Sequence, residues 1–403
     1  MTRVPRPPAG DPLEAFTEDE IRTCVGYAKP RQLWALVALA VQLLVLAALA
    51  LTGTGRSAVG RFAGLAGGWV PGRAALAAAA VVVVQALATL PFSVRAWRQD
   101  VHAGLSTQRL PGWAADWAKA RAVGLVLTAL PVAALVLAAR GRPPGYPWTA
   151  ALAAVALVLT LSLLGPVVLE PLFNRFSPLP PGPLRDRVLA MAAGMGVPVS
   201  DVLVADASRR TTKVNAYVSG LGRTRRVVLY DTLAERAGED EVALVLAHEL
   251  AHVRHRDVLW GTLGGAGAVA VGVVGAGLLL GLPAVRDAFG VSGLGDPLAA
   301  PAVVLLATIA GLAAAPVASL VSRWSEARAD WTALEVSGDA ATAVAVERRL
   351  ALENRADLHP NRLLVAWFSS HPPTMARIAQ ARLWAARYGA PPAAGGSGSG
   401  SFS

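Results

Sequence analysis

Six stretches of this chain run for 18 residues or more without a charged side chain: 32–55, 74–94, 122–139, 143–169, 258–285 and 297–322. About 20 apolar residues in helical form cross a hydrocarbon core, so each stretch predicts a membrane-spanning helix. Soluble proteins also bury apolar helices, but rarely six of this length. Pro131, Gly165, Pro166 and Pro316 fall inside these stretches, where neighbouring helices can satisfy the backbone groups they free. The pattern predicts a mainly α fold, a polytopic membrane helical bundle of about six spans.

The polar segments divide the chain further. Residues 1–31 read as a leader with a proline-rich start, polar and partly acidic, which argues against a cleavable signal peptide. Four spans occupy 32–169, a hydrophilic block follows at 170–257, two spans lie within 258–322, and a second hydrophilic block covers 323–390. Residues 391–403 are a glycine–serine tail of low complexity. In the first block, 184–195 has helical periodicity and stops at Gly196. Residues 202–204 form a short apolar strand, and the β-prone runs 214–219 and 226–230 flank Gly220-Leu221-Gly222-Arg223-Thr224 as a hairpin. Glu239, Asp240 and Glu241 suit the positive end of a helix dipole and open the next helix. With neither Gly nor Pro between 253 and 260, that helix is expected to run unbroken into the fifth span.

Composition narrows the class. The 403 residues are 54% hydrophobic and 16% charged, with a net charge of +10. Counting spans puts 1–31, 95–121, 170–257 and 323–403 on one side, and leaves Arg56, Arg61, Arg73, Arg140, Arg142 and Arg286 on the other. The positive-inside rule then places both termini and the hydrophilic blocks in the cytoplasm, in a multi-pass protein of the cell (inner or plasma) membrane. The excess arginine faces anionic headgroups of the lipid bilayer. No basic–aromatic module appears, so nucleic acid is not expected as a partner. Cys24 is the sole cysteine, which excludes an intramolecular disulfide and a thiolate metal cluster.

The chemistry concentrates in Ala247-His248-Glu249-Leu250-Ala251-His252. On a helix, His248 and His252 project from one face, close enough to grip one metal ion. Glu249 is offset by one position and can reach a water on that metal without being a ligand. A further protein ligand is needed. His255 lies about 10 Å along the helix from His248, too far to share the ion, and reads as an exposed polar residue. Glu326 and Asp330 follow the sixth span and share a helix face, so one can bind the ion while the other orients a ligating imidazole. If the helix runs on into the fifth span, His252 lies about 9 Å from that span, and a metal at the membrane interface favours membrane-bound or lipid-modified substrates.

The combination of His248-Glu249-Leu250-Ala251-His252 with Ser325-Glu326-Ala327-Arg328-Ala329-Asp330 resembles the type I CAAX prenyl endopeptidases, whose relatives include the bacterial heat-shock membrane proteases. Glu170-Pro171-Leu172-Phe173-Asn174-Arg175-Phe176, Val214-Asn215-Ala216-Tyr217, Arg226-Val227-Val228-Leu229-Tyr230-Asp231-Thr232-Leu233, Ser370-His371-Pro372-Pro373-Thr374 and Leu90-Pro91-Phe92-Ser93 extend the likeness from about residue 70 to 388. The resemblance implies a gluzincin-like cytoplasmic metallopeptidase domain with a small β-hairpin, holding one zinc ion on His248, His252 and Glu326. It implies Glu249 as general base, Asp330 as support for a zinc histidine, and Asn215 as a holder of the substrate backbone. His371 and Arg377 would stabilise the oxyanion.

The expected activity is therefore a zinc metalloendopeptidase, CAAX-protease-like, acting on membrane-associated or lipidated peptides and proteins. The competing readings are a quality-control protease for misfolded membrane proteins, and an inactive scaffold or lipid carrier. The joint presence of His248, His252, Glu326 and Glu249 counts against the last, because a scaffold needs neither ligands nor base.

Overall fold

The computed structural model describes residues 11–140, 146–220 and 222–389. The first ten residues of the leader, Arg142 and the start of the fourth apolar stretch, Leu221 of the hairpin turn and the glycine–serine tail lie outside the described residues. Six described helices are long and apolar enough to cross a membrane, as the charge-free stretches predict.

The first, α1 (Glu18–Leu51), opens on a capping box in which Thr17 and Glu20 satisfy each other's backbone N–H groups. Its 34 residues extend about 50 Å, well beyond a hydrocarbon core of about 30 Å. The overhang uses the leader: Cys24 and Phe16 pack with Ala351, Leu358 and Ile378 from the far end of the chain. A short helix α2 (Gly53–Gly64) turns back along α1, and Gly55 permits the reversal. A Cβ there would stand 2.2 Å from the carbonyl oxygen of Ala48. The spans α3 (Val70–His102), α4 (Leu110–Arg140) and α5 (Tyr146–Leu164) follow. Ala74, Ala77, Ala78 and Val81 of α3 meet Ala129, Ala133 and Val136 of α4, small side chains that let backbones approach closely. Leu44, Leu130 and Leu152 face outward on this bundle and are exposed, the surface a lipid environment would cover.

After α5 a single π-helical turn leads to α6 (Glu170–Phe173), and a four-stranded sheet begins. Its strands are β1 (Phe176–Pro178), β2 (Asp201–Ala205), β3 (Ala216–Ser219) and β4 (Arg226–Tyr230), in the spatial order β1-β2-β4-β3. The hairpin β3–β4 is antiparallel with Ala216 opposite Leu229, while β2 and β4 run parallel. Alternation along β4 divides its side chains between two faces. Val227 and Leu229 pack with Val242, Leu246 and Leu250, whereas Val228 turns to Leu203 and Ala205. Helices α7 (Pro183–Gly194) and α8 (Asp231–Arg236) flank the sheet. Strand β1 was not foreseen, since three residues give too short a pattern to read.

Helix α9 (Glu239–Arg254) carries the histidines, and here the expected continuity fails. The helix ends before His255. Arg256 adopts a left-handed conformation (φ 58°), and the next span, α10 (Asp257–Leu279), starts afresh. A non-glycine residue in that region costs about 1–2 kcal/mol. Asp257 compensates through contacts with His252 and Arg328 that an unbroken helix would not permit. A short α11 (Pro283–Phe289) precedes α12 (Ala300–Ser337), which continues as one helix past the apolar stretch to present Glu326 and Asp330. The chain closes with α13 (Ala340–Glu353), α14 (Arg362–Phe368) and α15 (Thr374–Tyr388).

Leu250 is fully buried between the two histidine positions, where it locks α9 to the sheet. Leu250→Ala should cost about 2–5 kcal/mol, read as a lowered unfolding midpoint of the detergent-purified protein. An unchanged midpoint would mean that α9 is held by other contacts.

Candidate active site

Two helices build the centre. The side chains of His248 and His252 project from one face of α9, and their Nε2 atoms lie 3.1 Å apart. Glu326 of α12 approaches from the other side, with Oε2 3.3 Å from His248 Nε2 and Oε1 3.4 Å from His252 Nε2. Among the described residues these three form the group that could hold a metal ion. The donor set fits zinc. Bonds of about 2.0–2.1 Å in tetrahedral arrangement put ligand atoms about 3.3–3.4 Å apart, close to the spacing seen. His255 is no part of this group. It is half-buried rather than exposed, and its Nε2 lies 2.9 Å from Thr332 Oγ1, a short polar contact across α9 and α12 that takes it out of solvent.

Each of the two imidazoles has a carboxylate behind it. Asp330 Oδ1 is 2.8 Å from His248 Nδ1, and Asp257 Oδ2 is 2.8 Å from His252 Nδ1. Each carboxylate is in turn held by an arginine. Arg377 donates through Nε to Asp330 Oδ2 at 2.8 Å and through Nη2 to Oδ1 in a closer contact. Arg328 donates through Nη2 to Asp257 Oδ1, also closely. Arg377 further pairs through Nη1 with Glu347 Oε1 at 2.8 Å. Burial pushes the Glu347 carboxyl up to about 7, against the pull of Arg377. Three Arg377 nitrogens thus face carboxylates, and an oxyanion contact would use its remaining N–H bonds.

Glu249 lines a cleft of about 190 Å³ together with His248, Asn215, His371, Asp330 and Arg377. The fold therefore gathers the expected non-ligand residues around one space. Burial raises the Glu249 carboxyl above its ordinary range, and the two neighbouring imidazoles pull the other way. Asn215 immediately precedes β3, one of the two outer strands of the sheet; its side chain is exposed and its carbonyl accepts from the Tyr230 N–H at 2.9 Å. His371 stands in the turn before α15 with Nε2 3.4 Å from Glu326 Oε2. That turn is pinned from α12: Arg323 Nη1 donates to the carbonyls of Val365 (2.6 Å) and Ser369 (2.8 Å). Beyond His371 and Arg377 the cleft continues into a cavity of about 650 Å³, walled by Leu36 and Leu39 of α1 and by Leu364 and Phe368 of α14.

Sequence reasoning missed Asp257, Arg328 and Glu347. Glu347 had a signal, an acidic residue among Ala343, Val346 and Leu350 on the buried face of α13. Asp257 had a weaker one, an acid at the very head of an apolar span.

The sequence profile of Peptidase family M48 matches residues 178–385, a range that holds every residue of this site. The chain belongs to peptidase family M48. An uncharacterized metalloprotease of Bacillus subtilis, YhfN, is 28% identical over 304 residues, 74% of this chain and 71% of that one. The CAAX prenyl protease 1 homolog of Oryza sativa subsp. japonica is 34% identical over 179 residues, 43% of this chain and 41% of that protein. In three dimensions this family M48 peptidase is similar to the crystal structure of S. mikatae Ste24p, with a TM-score of 0.78 at 20% identity over 91% of this chain and 90% of that one. At that identity the shared feature is the fold. The expected class, a polytopic helical metallopeptidase with a small sheet, holds: the chain is a membrane metalloprotease acting on peptides or proteins.

The clamp on Asp330 and Glu347 gives a direct expectation. Arg377→Met leaves two largely buried carboxylates without their cation and should cost about 3–5 kcal/mol. The unfolding midpoint of the metal-free protein measures this. Adding Glu347→Gln should recover part of the loss, and failure of the double variant to recover would mean the two carboxylates do not share Arg377 energetically.

Proposed function

We propose that this family M48 peptidase is a zinc endopeptidase that cleaves membrane-associated or lipidated peptides, in the manner of the CAAX peptidases. The observation that carries this is the convergence of His248, His252 and Glu326 beside Glu249 in a cleft that opens into a largely apolar cavity. When bound, zinc supplies Lewis-acid polarisation and a water of pKa lowered to about 7. Glu249 takes the proton from the attacking water on its carboxylate and returns it to the leaving amine. Its raised proton affinity suits it to that exchange. Asp330 stands 2.8 Å from His248 Nδ1, where it would orient the ring with Nε2 towards the metal position.

An extended substrate would add along the outer side of β3, with the Asn215 side chain holding its backbone. The His371 imidazole and the free N–H bonds of Arg377 would donate to the developing oxyanion. The cavity beyond them is walled by the first span, which supports a bulky apolar group on the substrate. The distribution of arginine supports a cytoplasmic position for the site and both termini, in the cell membrane.

Glu249→Gln should keep one zinc per chain and lose proteolysis by about 10²–10⁴-fold. Near-normal turnover in that variant would remove Glu249 as the base. Glu326→Ala should lower zinc occupancy by elemental analysis while His255→Ala leaves it intact, and the opposite pattern would overturn the choice of third ligand. His371→Ala should keep its zinc and cut kcat by about 10²–10³-fold. The substrate class is tested by the same peptide offered with and without a lipid anchor in detergent micelles. Faster cleavage of the anchored form is expected, and equal rates would reject the lipid-directed reading.

A further inference from the structure

Both histidines of the site carry a carboxylate on Nδ1, yet the family resemblance accounts only for Asp330. We propose that Asp257 is a second positioning residue, fixing His252 as the tautomer whose Nε2 lone pair faces the metal position. The proposal rests on the metal-centre reading above. A neutral imidazole has one donor nitrogen and one acceptor nitrogen, and the partner of one sets the role of the other. With Asp257 Oδ2 at 2.8 Å from Nδ1, the proton belongs there and Nε2 is left as acceptor beside His248 and Glu326.

The backbone is shaped to make this contact. On an unbroken helix, position 257 would lie roughly 140° around the axis from His252, facing away. The left-handed Arg256 reverses the chain at that point and returns Asp257 beneath the imidazole. Among the described residues, only Arg256 and Arg355 combine a side chain with positive φ.

The carboxylate is also held from the other side. Arg328 donates to Asp257 Oδ1, and its guanidinium lies 4.5 Å over the Trp324 ring. Arg328 stands on α12 between Glu326 and Asp330. One helix thus provides the third ligand, the support of one histidine, and the arginine that fixes the support of the other. The arrangement Arg328–Asp257–His252 repeats Arg377–Asp330–His248 on the opposite side of the site.

The alternative is purely structural: Asp257 in the first turn of α10 would favour the helix dipole and pair with Arg328 without affecting the metal. Full-length protein in detergent, stripped of metal, separates the two by zinc titration against a chromophoric chelator and by the visible spectrum of the cobalt-substituted form. Asp257→Ala should weaken zinc binding about 10–100-fold and shift the cobalt bands. Asp257→Asn, of nearly identical shape, keeps one acceptor oxygen, which can serve Nδ1–H or Arg328 but not both, and should weaken binding to an intermediate degree. Arg256→Gly keeps Asp257 in place and should stay within about twofold of wild type. Wild-type zinc affinity and cobalt bands in both Asp257 variants, with only the metal-free melting temperature lowered, would overturn the proposal. A wild-type chain that binds no zinc would instead overturn the metal-centre reading itself, and Glu326→Ala, expected to lose zinc, tells the two failures apart.

Discussion

Everything at the centre depends on how closely α9 can approach α12. The facing positions are alanines: Ala247 and Ala251 on one helix and Ala329 and Ala333 on the other, all buried. With only methyl groups at these four positions, the short Glu326 arm reaches both imidazoles and the shorter Asp330 arm reaches behind His248. Larger residues there would push the helices apart, and a ligand set that needs spacing near 3 Å would open. Packing here sets the chemistry, because a metal site tolerates far less displacement than a hydrophobic contact does.

Close approach concentrates charge. Glu249, Glu326, Asp330, Glu347 and Asp257 gather around the two histidines, and such a cluster is unfavourable unless each carboxylate has a partner. Arg377 and Arg328 supply it from opposite sides, and both are only partly accessible. Burial raises the proton affinity of Glu347 against the pull of Arg377, and the neighbouring Asp330 adds to the rise. Glu249 is placed differently. No arginine pairs with it among the described contacts, and burial raises its carboxyl above the ordinary range while the two imidazoles and, more weakly, Arg377 pull the other way.

What the sequence made legible follows the strength of each local pattern. The spans were readable because absence of charge over 18 residues has few explanations, and β4 matched 226–230 because a short β-prone run follows the glycine-containing turn at 220–224. The juxtaposition of His248 and His252 was readable from i,i+4 spacing, and that of Glu326 and Asp330 from the same spacing on a second helix. The break at Arg256 was not, since neither Gly nor Pro marks it. It arises from tertiary contacts of Asp257 with His252 and Arg328, residues 5 and 71 positions away. The overhang of α1 was hidden for a similar reason. A polar leader reads as loop until its partners, Leu358 and Ile378, are known to lie beside it. The domain bounds of the sequence reading, with 1–31 as a separate leader, meet a helix that starts at Glu18.

That overhang and the length of α12 have a joint consequence for how the enzyme is organised. The hydrophilic blocks suggest a peptidase resting on a membrane anchor, two parts joined by loops. The helices argue for one body. α12 runs without interruption from Ala300 through the apolar stretch to Glu326, Asp330 and Ser337, so a span and two site residues share one rigid rod. α10 begins at the carboxylate behind His252, and α1 passes from the span to the wall of the apolar cavity and then to the core beneath α13 and α15. Cutting 170–257 free would leave the two histidines and Glu249 with no third ligand and no support on His248, as those come from α12. The membrane bundle is therefore continuous with the peptidase through α12, whose contact with α9 sets the spacing of His248, His252 and Glu326.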